Sequence, residues 1–193
     1  PPSRWDDSGV STANAPIPRA QARVDLGAIA ANVRLLDERS PGADVMAVVK
    51  ADAYGHGLVP SARAALAGGA TWLGVALPEE ALALRDAGID APVLSWLLSM
   101  NDATDWLACA RAGIDVSASS RQGVTRAVEA AGDSGNTVRL HLKIDTGMHR
   151  LGIPDPGPVR MGAHKGHLFG ADRADAQLQH LIDGGRLQQP AGD

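Results

Sequence analysis

Val45-Met46-Ala47-Val48-Val49-Lys50 is an unbroken apolar, β-branched run that ends on a lysine, and Leu58 to Ala67 after it has helical spacing and stops at Gly68-Gly69. The pair reads as a buried strand followed by a helix. The same alternation then repeats along the chain. Trp72 to Leu77 predicts the next strand, and Pro78-Glu79-Glu80 opens a helix with proline in the first turn and acids at the positive end of the helix dipole. That helix stops at Gly88. Pro92 to Trp96 predicts a third strand, Ala103 to Ala112 a helix closed by Gly113, Asp115 to Ala118 a fourth strand, Gln122 to Ala131 a helix closed by Gly132, and Thr137 to Ile144 a fifth strand. Strands recur roughly every 20–27 residues with a helix between them, which is the signature of βαβ units and a parallel sheet. Their continuous rather than alternating apolar character fits a sheet covered on both faces. Two closures satisfy this pattern: an open doubly wound sheet and a (β/α)8 barrel. No Gly-x-Gly-x-x-Gly loop follows the first strand, which weakens the dinucleotide-binding version of the open sheet. Three further βα units would need roughly 75 residues, whereas 49 follow Ile144.

Composition narrows the function classes. The chain has 193 residues, 45% hydrophobic and 21% charged, which is globular composition. No apolar run reaches about 18 residues, so no membrane-spanning helix is expected. A net charge of −4 argues against nucleic acid as the main partner. One cysteine, Cys109, excludes an intrachain disulfide framework and a multi-cysteine metal site; it lies within a predicted helix and reads as buried rather than reactive. Alanine supplies 34 residues and aromatics only 3%, which suits close helix–sheet packing with modest burial per residue. Residues 1–20 are rich in Pro, Ser and Asp without periodicity and are expected to be a flexible leader; they lack the basic start and apolar stretch of a secretory signal.

The basic residues are unevenly divided: 15 are arginine and only Lys50, Lys143 and Lys165 are lysine. Only the amine deprotonates within reach of neutral pH and forms a Schiff base, so each lysine asks for a reason. Lys50 follows five apolar residues at the C-terminal end of a strand, where barrels build their active sites and where desolvation favours the neutral amine. The plain alternative is a strand-end lysine that snorkels to solvent. Tyr54, the only tyrosine, offers a phenol to a phosphate or packs on the rim, and Gly55 and Gly57 permit a tight turn close to a ligand. Asp145-Thr146-Gly147 is as consistent with an Asx-type turn as with binding. His56, His141 and His149 show no metal-ligand spacing and are expected at the rim or surface, no metal site is expected, and Glu79-Glu80 reads most simply as a helix start.

These residues carry a resemblance. VVKADAYGHG, around Lys50, resembles the pyridoxal-phosphate attachment site of the alanine racemases. Arg23 to Val33 is similar to the opening strand and helix of that family. Leu142-Lys143-Ile144-Asp145-Thr146-Gly147-Met148-His149-Arg150-Leu151-Gly152 resembles its Lys-x-Asp-Thr-Gly-Met-x-Arg-Leu-Gly motif. Three ordered motifs span residues 20 to 153. The resemblance implies the N-terminal portion of a (β/α)8 TIM-type barrel over residues 21–153, a fold-type III enzyme with pyridoxal 5′-phosphate as cofactor, alanine as substrate, a homodimer for the full-length protein, and a cytoplasmic location. It implies that Lys50 carries the cofactor and then serves as one of two bases at the substrate α-carbon. Tyr54 would contact the cofactor phosphate, and Arg150 would lie near the cofactor's phenolic oxygen and the substrate carboxylate. Lys143 matches a lysine that is carbamylated in some members and orients that arginine; a carbamate is an anion able to hold Arg150 by charge-assisted hydrogen bonds. An exposed strand residue is the alternative reading.

After Ile153 the character changes, because Pro154-Asp155-Pro156-Gly157-Pro158 cannot be helical. His167-Leu168-Phe169-Gly170-Ala171-Asp172 resembles a His-x-x-x-Ala-Asp pattern that the family places at its next strand, which would make His167 the histidine stacked on the cofactor ring, but it arrives about a dozen residues early. Residues 154–193 therefore read as a divergent continuation of the sixth unit, poorly ordered. The family's C-terminal β domain, which supplies the second base, has no counterpart here, so the chain reads as an N-terminal fragment, inactive alone. The same residues admit a serine or broad-specificity racemase, or a non-catalytic protein that binds pyridoxal phosphate on a related barrel.

Overall fold

The computed structural model describes residues 22–153. Five strands, β1 (Met46–Val48), β2 (Trp72–Val75), β3 (Val93–Ser95), β4 (Asp115–Ala118) and β5 (Leu140–Leu142), form one sheet in the order β1-β2-β3-β4-β5, with every pairing parallel. This order decides between the two closures. A doubly wound sheet reverses direction at a switch point, whereas a barrel adds each strand beside the last. The helices are α1 (Leu26–Arg39), a single turn α2 (Lys50–Gly55), α3 (Leu58–Ala67), α4 (Pro78–Asp86), α5 (Ala103–Arg111) and α6 (Arg121–Ser134).

The strand–helix alternation follows the sequence pattern, with differences that have local causes. β1 and β5 are shorter than their apolar runs. The ladder nevertheless continues through single bonds: Val49 N donates to Gly74 O at 2.9 Å, and Lys143 N donates to Ala118 O at 2.9 Å. The expected stop at Gly132 is not used. α6 runs through it to Ser134 and closes at Gly135, which adopts the left-handed conformation (φ 71°) that glycine accepts at no steric cost. No strand forms at residues 22–25. Instead Asp25 caps α1, its carboxylate accepting from Ala28 N at 3.0 Å. The expectations for residues 1–20 and 154–193, including His167 and Lys165, lie outside the described residues.

The sheet separates two environments. Leu73, Val75, Val93 and Val116 point outward and pack against Ala81, Leu84, Trp106, Cys109 and Ala127 of the helices. Alanine at many helix positions lets the helices lie close to the strands. Trp106 is the largest of the fully buried side chains, and its indole N–H donates to Ser99 O at 2.7 Å. Burial, with Asp105 nearby, pushes the Cys109 thiol up to about 12, so it is the inert cysteine its helix position predicts.

The opposite, inner face is polar toward the start of the strands, and here one expectation fails. His141 is buried rather than at the rim. Its Nε2 faces Asp115 Oδ2 at 3.3 Å, the same oxygen accepts from Arg139 Nη1 at 3.2 Å, and the imidazole meets the Trp72 ring edge-on at 5.9 Å. Arg139 in turn lies over the Trp72 ring at 4.9 Å. The histidine lands inside because β5 alternates, with Leu140 packed toward the helices and His141 on the inner face.

Arg85 closes the N-terminal end of the sheet. Its half-buried guanidinium donates to four carbonyls: Ala112 (3.1 Å), Ile89 (2.6 Å), Ala91 (2.8 Å) and Gly113 (3.1 Å). These belong to the turns that follow α4 and α5, where helix ends leave carbonyls without partners. Replacing Arg85 with alanine is expected to lower unfolding free energy by about 2–4 kcal/mol, because several polar groups lose a charged donor together. Arg85→Lys should recover little, since an ammonium lacks the planar fork. Urea denaturation of the two variants beside wild type reads both effects.

Candidate active site

Parallel pairing sends the C-terminal ends of all five strands to one end of the sheet, so the loops after them share one face. Lys50 follows β1 there. Met46 and Val48 pair with Trp72 and Gly74 on the inner face while Val49 is buried toward the helices, so alternation brings Lys50 to the inner side. Lys143 follows His141 by the same alternation at the end of β5. By register Lys50 stands level with His141, and Lys143 lies two residues further toward the C-terminal end of the last strand among the described residues. Lys50 is half-buried, and its Nζ lies 5.2 Å from the ring centroid of Tyr54, whose side chain is itself largely exposed.

The backbone after Lys50 is unusual. Ala51, Asp52, Ala53 and Tyr54 have φ of 52–56° and ψ of 38–49°, so α2 is a turn of left-handed helix built from four residues that are not glycine. Each such residue costs about 1–2 kcal/mol relative to right-handed backbone. Neighbours offset that strain. Ala53 N donates to Val49 O at 2.9 Å and Gly57 N to Asp52 O at 3.0 Å. The Asp52 carboxylate accepts from Leu58 N at 2.6 Å and so caps α3. From the first turn of α4, Glu80 Oε1 accepts from Ala51 N at 2.5 Å, while its Oε2 accepts from Ala76 N and Leu77 N at 3.0 Å each. Strain of this kind, held in place from outside, is found where a side chain must be aimed.

The last of the three motifs is a closed loop. Asp145 N donates to Ile153 O at 3.0 Å and Ile153 N to Lys143 O at 2.8 Å, so the ends of residues 145–152 meet beside Lys143. Gly152 makes the neck possible: a Cβ there would lie 2.6 Å from Asp145 N. Inside the loop, Asp145 Oδ1 accepts from Gly147 N and His149 N, both at 2.9 Å, which is the Asx-type turn its sequence suggests. Arg150 lies exposed on this loop between two residues of positive φ, His149 and Leu151. The sheet therefore carries Lys50 with Tyr54 at one edge and Lys143 with Arg150 at the other. His56 and His149 are exposed as expected.

Sequence reasoning missed the left-handed turn and the second role of Glu80. The two glycines at 55 and 57 and the absence of β-branched residues at 51–54 were the available signals. Nothing in the sequence linked Glu80 to a residue 29 positions earlier.

Comparison with known proteins agrees with this architecture. The alanine racemase N-terminal domain family matches residues 24–166. An alanine racemase of Thermobifida fusca is 50% identical over 159 residues, covering 80% of this chain and 40% of that protein. One from Mycolicibacterium smegmatis is 45% identical over 181 residues, covering 93% and 46%. Among solved structures, the alanine racemase of Streptomyces coelicolor A3(2) superposes with a TM-score of 0.65 at 49% identity over 69% of this chain and 35% of that one. The alanine racemase from E. faecalis gives 0.64 at 34% identity over 83% and 47%. With the family matched over most of its length and its strands in barrel order, the chain belongs to the alanine racemase N-terminal domain family. It spans less than half the length of these relatives.

Backbone N–H donors, Gly147 first and then His149, hold the Asp145 carboxyl below the usual aspartate value. A group with a depressed folded-state value stabilises above its unfolded value and loses that contribution as pH falls through the folded one. The turn carrying Arg150 is therefore expected to stay intact down to the ordinary aspartate range and to loosen only below it. Amide proton shifts of Gly147 and His149, followed by NMR through an acid titration, should stay constant until that point. A transition at or above the ordinary value would contradict the assignment.

Proposed function

We propose that this chain supplies the cofactor-carrying half of a pyridoxal-phosphate-dependent alanine racemase, with Lys50 as the residue that holds the cofactor. The observation that carries the reading is Lys50 itself: one of three lysines, at the strand end of a parallel barrel unit, anchored before a strained turn and beside a phenol. The donor set suits an aldehyde that bears a phosphate. It offers a primary amine for the aldehyde, the Tyr54 hydroxyl for the phosphate, and the Arg150 guanidinium for the phenolic oxygen and a substrate carboxylate. Pyridoxal phosphate, when bound, supplies an electron sink that makes the α-proton of an amino acid acidic.

The chain's own residues do the rest. The Lys50 amine, once free of the cofactor, takes or returns the proton at one face of the α-carbon. Arg150 orients the substrate carboxylate through its two-pronged donor geometry. Lys143 borders the neck of the Arg150 loop, so a carbamate on its amine would hold that guanidinium in one pose. His167 would stack on the cofactor ring. Alanine is favoured over larger substrates by family membership; a serine or broad-specificity racemase is the second reading, carried by the exposure of the Arg150 loop. The wider proposal is a cytoplasmic homodimer that supplies D-alanine for cell-wall precursors.

The direct test is incubation with pyridoxal phosphate, borohydride reduction, digestion and mass mapping. The adduct is expected on Lys50, and Lys50→Arg should abolish it, because a guanidinium does not form the linkage. An adduct mainly on Lys143 or Lys165 would overturn the assignment.

Racemisation also needs a base on the opposite face, and the only tyrosine in the sequence, Tyr54, sits four residues from Lys50. Loss of a positioned acid–base group typically lowers rate by about 10²–10⁴-fold. The 193-residue chain alone is therefore expected to form D-alanine at a rate lower than a two-base racemase by that factor or more. A coupled D-alanine assay with excess pyridoxal phosphate reads this, and robust turnover would refute it.

A further inference from the structure

We propose that Glu80 is a positioning residue for Lys50, acting through the Lys50–Ala51 peptide. The inference rests on the reading of Lys50 as the cofactor-bearing residue. The amide that Glu80 Oε1 accepts from belongs to Ala51, so the same peptide plane carries the Lys50 carbonyl. Fixing that plane fixes the rotation about the Lys50 Cα–C bond. It also fixes the entry to the left-handed turn of Ala51–Tyr54, whose strained backbone does not hold that conformation by local preference. The direction in which the Lys50 side chain leaves the strand follows from that plane.

The other oxygen of the same carboxylate accepts from Ala76 N and Leu77 N, at the end of β2 and the start of α4. Leu77, at the N-cap of α4, has no side-chain acceptor of its own, so Glu80 serves as the cap from the third helical position. One carboxylate therefore joins the loop after β1 to the loop after β2 through three amides. This needs two acceptor oxygens. A glutamine in the same place has one acceptor oxygen and one amino group. With its oxygen toward Ala76 and Leu77 the helix cap survives, and its amino group then faces the Ala51 N–H, donor against donor. Glu80→Gln thus separates the two roles: it keeps the cap and removes the clamp. Glu79, next to it and exposed, provides the control substitution Glu79→Gln.

The experiment uses the full 193-residue chain with pyridoxal phosphate as the probe. Three measurements are made on wild type, Glu80→Gln and Glu79→Gln: thermal melting, hydrogen exchange at the Ala51 amide without cofactor, and cofactor affinity from the absorbance of the Lys50-linked form. In Glu80→Gln, Ala51 exchange is expected to quicken and cofactor affinity to fall by roughly ten- to a hundredfold, the worth of one hydrogen bond to a charged acceptor. Its melting temperature should match that of Glu79→Gln, and Glu79→Gln should match wild type in the other two measurements. Unchanged exchange and affinity in Glu80→Gln, with borohydride still trapping the cofactor on Lys50, would overturn the proposal and leave the functional reading standing. If Glu80→Gln melts early, Glu80→Asp decides. It keeps a carboxylate near Ala76 and Leu77 but is one methylene short of Ala51, so rapid Ala51 exchange with a wild-type melt supports the clamp and protected Ala51 refutes it. Trapping on another lysine in wild type would instead overturn the functional reading, and the aiming role with it.

Discussion

Parallel pairing is the constraint on which the rest of this structure depends. A parallel neighbour requires the chain to return to the starting end before each new strand, and a helix makes that return. Every strand therefore ends on the same side, and every loop after a strand opens there. Two motifs almost a hundred residues apart, one after β1 and one after β5, come to face the same end although their strands do not pair. The outer layer needs only small, tightly packed helices, which the many alanines supply. The inner layer is free to carry Lys50, Asp115, His141 and Lys143.

Much of this is legible in the sequence, because short apolar runs between helical segments leave few alternatives. The run from Leu58 to Ala67 and that from Asp115 to Ala118 coincide with their elements, the first bounded by Gly57 and Gly68, the second by a charge at its start and by two serines, the second of which caps α6, at its end. Gly132 misled because a glycine inside a helix and a glycine at its end look alike in one dimension; Gly135, three residues later, is the one with left-handed backbone. His141 misled for a different reason. A histidine in a strand alternates with its neighbours, and only the curvature of the sheet tells which face is enclosed. The site divides in the same way. Lys50, Tyr54, Lys143 and Arg150 stand in local motifs, so the sequence singled them out. The turn of left-handed helix and the reach of Glu80 are tertiary: they depend on the lateral distance between two strands, which no spacing along the chain encodes.

Both candidate loops use the same physical device. Each places its candidate site residue, Lys50 or Arg150, beside backbone of positive φ and ties that backbone with a carboxylate, Glu80 for the first loop and Asp145 for the second. Carboxylates suit this work because each oxygen accepts more than one amide, so a single side chain holds several peptide planes at once. Rigid aim at a reacting centre is worth more than strength of contact there, and a strained turn under tension from a fixed acceptor has few alternative poses.

The Asp115–His141–Arg139 group has a consequence for how the sheet finds its alignment. Asp115 and His141 occupy inner positions on neighbouring strands, two rungs apart on the β4–β5 ladder. Sliding β5 by one residue against β4 would exchange its two faces. His141 would then press into the apolar layer beneath the helices, and Leu140 would take its place beside Asp115, leaving a carboxylate buried with one partner fewer. Apolar strands alone would tolerate that slip at small cost, since leucine and valine fit either side of a covered sheet. The buried polar pair makes the wrong alignment costly, and so gives β5, the last strand described, a single register in which to dock.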